Sequence, residues 1–131
     1  MSRETGWGWL EEELVAEKLR NFQVAGLVVI DHHALPVAST LHAPELEARL
    51  CGLAAALLDA AQRAATDALI SETSFLWFSG VERQVVLLPL RAGLWLLGVG
   101  EARGGGPDMA YSLLSLARRL LARWPAEHAA G

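Results

Sequence analysis

A chain of 131 residues, 53% hydrophobic and 20% charged, has the size and apolar content of one domain with a full core of its own. Its formal net charge of -4 and its eleven scattered Lys and Arg exclude the basic stripe that a non-specific nucleic-acid surface needs. The single cysteine, Cys51, excludes an internal disulfide and sits in an apolar run, where a small buried side chain is expected.

The opening MSRETGWGWLEEELVAEKL lacks the apolar centre of a signal peptide. Leu10, Leu14, Val15, Leu19 and Phe22 recur at helical spacing, with Glu11, Glu12, Glu13, Glu17 and Lys18 opposite. This predicts an amphipathic helix over about Trp9 to Asn21. Trp7 and Trp9, at its start, are expected at the edge of the core.

Val24 to Asp31 is short, apolar and β-rich, and Pro36 to Leu41 follows after a tight connection. The pair reads as a hairpin. Asp31, His32 and His33 fall at its turn. An Asp carboxylate accepts nearby backbone N–H groups, and Pro36 pushes Leu35 into an extended conformation.

The letters Ile30, Asp31, His32 and His33 also resemble the signature of the DHH-type phosphoesterases, which hold two metal ions. A two-metal site needs more ligands, and that family draws them from aspartates upstream of the motif. No aspartate precedes Asp31 in this chain. A zinc site from His32, His33, His42 and Cys51 lacks the usual ligand spacing. The turn is therefore preferred, and neither a metal nor a cofactor is expected.

Pro44 suits the first turn of a helix, with Glu45 and Glu47 close behind. Leu46, Leu50, Leu53, Leu57, Ala61 and Ala64 run down one face to about Ala68, while Ala48, Gly52, Ala55, Ala56 and Ala60 leave the rest low in bulk. Such a helix lets a second helix or a sheet approach on more than one side.

Three strands are expected over Ile70 to Ser79, Glu82 to Leu90 and Leu94 to Glu101, with Ser79-Gly80 and Ala92-Gly93 as turns. Connections this short require an antiparallel meander. The most apolar stretch, Val85 to Gly100, is broken by Pro89, Arg91 and Gly93 and falls short of a membrane span. A soluble, cytoplasmic protein is the expectation.

GEARGGGP, from Gly100 to Pro107, has neither the Lys-Ser/Thr ending of a phosphate loop nor dinucleotide-binding spacing, and reads as a flexible link. Met109, Leu113, Leu116, Leu120 and Trp124 mark a last helix, opened by Pro107 and Asp108 and closed by Pro125. No nucleophile elbow or Ser/His/Asp spacing occurs. The whole chain, 1–131, reads as one domain with an ordered core over about 9–124 and a loose tail. Its fold class is α+β, in the order α-β-β-α-β-β-β-α: a five-stranded antiparallel sheet with helices on both faces.

That order, together with VAGLVVIDHHALPVAS, LCGLAAALLDAAQRAA, FSGVERQVVLLPLRAGLWLLGVG and PDMAYSLLSLARRLLARW, resembles the Roadblock / dynein light-chain family. The resemblance spans roughly Leu10 to Trp124. Gly26, Asp31, Pro36 and Ser39 fit the family's strand–turn–strand pattern, while Ala34 stands where the family usually has glycine. Either His33 takes the positive φ, or the turn differs.

The resemblance implies a Roadblock/profilin-like fold and a homodimer. Its subunits would join edge to edge through the third strand, with their middle helices side by side. Gly52, Ala55, Ala56 and Ala60 on the helix, and Phe75 and Trp77 on the strand, are the interface positions it points to. The prokaryotic branch similar to the gliding-motility GTPase regulators implies a small Ras-like GTPase as partner, with faster GTP hydrolysis as the outcome. Glu45, Arg49, Asp59 and Arg63, beside the small-residue face, are the candidate partner contacts. Other members are plain scaffolds, which leaves a structural adaptor as the alternative; the phosphoesterase is a remote one.

Overall fold

The structure, a computed structural model, describes residues 6–67, 75–91, 93–102 and 108–125. The chain runs α1 (Gly8–Arg20), β1 (Val24–Ile30), β2 (Pro36–Ser39), α2 (Pro44–Asp67), β3 (Leu76–Ser79), β4 (Arg83–Pro89), β5 (Trp95–Glu101) and α3 (Asp108–Ala122). This is the predicted order. The five strands form one antiparallel sheet in the order β2-β1-β5-β4-β3. Positions 70–74 of the expected third strand, the 103–107 link and the 126–131 tail lie outside the described residues.

The central strands are apolar on both faces, because both faces are covered. Leu27 and Val29 of β1, Val86 and Leu88 of β4, and Leu96 of β5 pack with Leu10, Leu14, Met109, Leu113, Leu116 and Leu120 of α1 and α3. The alternate side chains Val28, Ile30, Leu87 and Leu97 turn to the other face and meet Cys51 and Ala54 of α2. The strand period of two thus splits one run of apolar residues between two cores.

Two glycines bring α3 close to the sheet. A Cβ on Gly98 would lie 2.3 Å from Leu113 Cδ1, and one on Gly100 would lie 2.5 Å from Met109 Sδ and 2.1 Å from the Gln23 carbonyl oxygen. Leu113 and Met109 are one helical turn apart and fill the space that the absent side chains leave. Opposite Gly100, the ladder between β1 and β5 shifts register between Val24 and Gly26, as a bulge does.

The first helix departs from its predicted apolar face. Leu10 and Leu14 are wholly buried, but Leu19 is 82% and Phe22 is 96% exposed. The helix ends at Arg20, so Phe22 falls in the turn that leads into β1 and does not follow the stripe. Glu17, expected on the polar side, is buried instead. Its Oε1 accepts from Arg119 Nη2 on α3 at 2.8 Å and from Arg20 Nη2 at 2.8 Å. A second ion pair, Arg123 with Glu13, repeats the link between the two helices. Where α1 begins and α3 ends, Trp7 and Trp9 stand edge-on to Trp124, with ring centroids 5.8 and 5.4 Å away. The Arg123 guanidinium lies 6.0 Å from the Trp9 ring centroid.

Candidate functional site

The Asp31–His33 segment is the polar turn that joins β1 to β2. Asp31 Oδ1 accepts the backbone N–H of His33 at 2.8 Å and of Leu35 at 3.0 Å. The Asp31 N–H donates to the Leu35 carbonyl, and the Ala34 N–H donates to the Asp31 carbonyl, each at 2.9 Å. One carboxylate therefore satisfies donors that the tight connection leaves over. Ala34 itself takes the left-handed conformation, at φ 61°, so His33 is spared it. The two imidazoles are exposed, with centroids 4.0 Å apart. Among the described residues no group of three or more His, Cys, Asp or Glu side chains is placed to hold a metal ion.

The surfaces left open lie elsewhere. Helix α2 has 24 residues, of which only Cys51 and Ala54 are buried. Leu50, Leu57 and Leu58 pack partly against that core, while Leu46 and Leu53 stay 43% and 41% exposed. The predicted leucine face therefore meets the sheet only along one side, through Leu50 and Leu57; the small side chains of Cys51 and Ala54 are the buried centre of that contact, and Leu46 and Leu53 are left open. Gly52, Ala55, Ala56 and Ala60 are all exposed, and a Cβ on Gly52 would meet nothing within 4 Å.

One flank of α2 faces the β1–β2 turn. There Pro44, Ala48, Cys51 and Ala55 border a groove of about 420 Å³, closed on the other side by His33 to Pro36. Glu45, Arg49, Asp59 and Arg63 are exposed along the outer side of the same helix. Asp59 and Arg63 form an ion pair one turn apart. Arg49 has no hydrogen bond or ion pair among the described residues. Of the two arginines on this helix, it is the one free to meet another molecule.

The second open surface is the β3 edge. Among the described residues this strand pairs only with β4, so its outer N–H and C=O groups face away from the sheet. Its side chains stay apolar: Trp77 is 38% and Phe78 is 52% exposed. Phe75, just before the strand, packs against the α1/α3 core, whereas Leu76 joins the α2 side. Buried Gln84 fixes the Trp77 ring. Its Oε1 accepts the indole N–H at 2.9 Å while its Nε2 donates to the Glu101 carbonyl at 2.6 Å. A Gln next to the apolar run Val85 to Leu88 was the available signal for this clamp. Only the sheet register shows that it reaches Trp77.

No protein-family model matches the sequence, and no curated protein is similar to it in sequence. Solved structures are similar in fold. MglB of Myxococcus xanthus superposes with a TM-score of 0.78 at 10% identity, over 95% of this chain and 93% of that one. A Roadblock/LC7 domain from Streptomyces avermitilis gives 0.72 at 11% identity, over 86% and 95%. An MglB with a tetrameric arrangement gives 0.73 at 19%, over 95% and 94%. The chain has the Roadblock fold in the form that MglB takes. No helix among the described residues is long and apolar enough to cross a membrane.

Proposed function

We propose that this chain is a homodimeric, non-catalytic regulator of a small Ras-like GTPase and works in the cytoplasm. The observation that carries the reading is the unfinished state of α2 and β3. A 24-residue helix with two buried residues, together with an apolar edge strand open on its outer side, is a surface suited to binding protein. Pairing β3 with the β3 of a second copy would satisfy its backbone groups and cover Trp77. The MglB-like fold and the tetrameric arrangement of one similar MglB support self-association. The likeness of sequence pattern to the gliding-motility regulators supports a GTPase as the further partner.

Such a regulator acts by preferring one conformation of its partner. Its effect cannot exceed its difference in affinity between the GTPase's states. Arg49 and the Asp59–Arg63 pair, with Glu45, form the charged outer strip of α2 that would meet the GTPase. The alternative is an adaptor with the same surfaces and no effect on turnover.

Two measurements separate the readings. Phosphate release by a small Ras-like GTPase from the same cell is followed with and without this chain. Faster release, bound in a GTP-dependent complex, supports the regulator. Binding with unchanged release makes the chain a scaffold. Absence of binding in either nucleotide state removes the GTPase from the proposal. The phosphoesterase alternative is met by His32→Ala: a phosphodiesterase activity abolished by that change would overturn the non-catalytic reading.

A further inference from the structure

The sheet has two outer strands, and they are finished differently. Among the described residues β3 pairs only with β4, and its outer backbone groups stay open. The β2 edge is closed. Thr40 N–H donates to the Leu27 carbonyl at 2.9 Å, and Thr40 Oγ1 accepts the Leu27 N–H at 3.0 Å, so Thr40 turns toward β1. Backbone direction alternates along a strand, so Ser39, opposite Val28, points its N–H outward. There Glu11 Oε1 of α1 accepts it at 3.3 Å. Pro36, at the other end of β2, has no N–H to offer. In a strand of four residues this leaves an incoming strand little to pair with.

Glu11 reaches the edge because of where it sits on its helix. It lies about 160° around the axis from Glu13, which reaches α3, so it hangs over the opposite flank, beside β2. Ser39 is only 5% exposed, so water does not readily stand in for the carboxylate. A carboxylate also suits the task. It accepts hydrogen bonds but donates none, so it satisfies the strand without offering a donor to a newcomer. Its charge resists burial between two sheets.

We infer that Glu11 is an edge guard: it occupies the outward donor of β2, confines strand pairing between copies to β3, and so stops assembly at two chains. The inference rests on the homodimer reading and adds what limits it. Two copies joined β3 to β3 present a β2 strand at each end of one continuous sheet. If those ends paired as well, every new copy would bring another free end, and the sheet would grow without closing. One open and one guarded edge allow a single pairing per chain.

Glu11→Ala and Glu11→Gln test the guard. Both remove a negative charge near the start of α1, and only glutamine keeps an oxygen that can reach Ser39. Sedimentation gives the mass of each full-length protein over a rising concentration series, with circular dichroism as the check on folding. The alanine variant should grow to at least roughly twice the parental mass, while the glutamine variant keeps that mass. The Ser39 amide of the alanine variant should exchange hydrogen more slowly as its assemblies grow. If alanine does not fold, Glu11→Ser, too short to reach Ser39, takes its place. Two subunits for parent and alanine variant alike would overturn the guard and leave the homodimer standing. One subunit for the parent and two for the alanine variant would uphold the guard and overturn the homodimer. One subunit for both would overturn both. A parent larger than two subunits, a glutamine variant that grows like alanine, or growth without slower exchange at Ser39 would each overturn the guard.

Discussion

Replacing Gly100 with alanine tests how closely β5 and the turn before β1 are fitted. The new Cβ would lie 2.1 Å from the Gln23 carbonyl oxygen and 2.5 Å from Met109 Sδ. The first of these atoms is backbone and has no rotamer to turn away. It also accepts the Glu101 N–H at 3.2 Å, so moving it by about an ångström stretches that hydrogen bond. Overpacking costs about 1–3 kcal/mol and a lost hydrogen bond about 1. Against this, alanine stiffens the unfolded chain by about 0.4–1 kcal/mol. The expected net loss is about 2–3 kcal/mol, a large part of the roughly 5–15 that holds a small domain together.

Gly26→Ala is the matched control. Its Cβ meets Leu41 Cδ2 at 2.6 Å, but Leu41 is half-buried and can swing outward, so the cost should stay under about 1 kcal/mol. Urea unfolding gives both values, with every variant at one protein concentration because self-association adds stability by mass action. A Gly100→Ala protein within about 1 kcal/mol of the parent, or one no weaker than Gly26→Ala, would refute the argument from backbone contact.

Ala34→Gly should stabilise the chain by up to about 1 kcal/mol, because it relieves the left-handed φ of 61°; a thermal melt checks the sign. Glu17→Gln and Arg119→Gln should be coupled by about 1 kcal/mol in a double-mutant cycle of unfolding energies, since the buried carboxylate meets a half-exposed guanidinium at 2.8 Å. Additive effects would mean the pair does not join α1 to α3. Leu53→Glu should leave the monomer folded by circular dichroism, because the side chain is 41% exposed, yet yield a single-subunit mass in sedimentation.

Local period and punctuation were enough to read the element order from the sequence. Alternating apolar runs between glycine turns gave strands, and a Pro44 start with leucines at helical spacing gave α2. Asp31 before Pro36 marked the turn, because those conformations are decided within a few bonds. The open surfaces were legible only as resemblance. Period shows which side chains share a face, but not what that face meets. Leu19 shares its stripe with Leu14 and Leu46 sits on one as apolar, yet Leu19, in the last turn of α1, is 82% exposed, and α2 centres its contact with the sheet on Cys51 and Ala54, leaving Leu46 43% exposed.

Burial of Glu17 depended on Arg119, 102 residues away, and the need for glycine at position 100 on the carbonyl of Gln23. These are contacts between distant segments, and their energy exists only once the chain has brought both sides together. The sequence by itself determined the elements, their order and the hairpin turn. Tertiary structure alone decided which apolar faces became core and which, on α2 and β3, were left open.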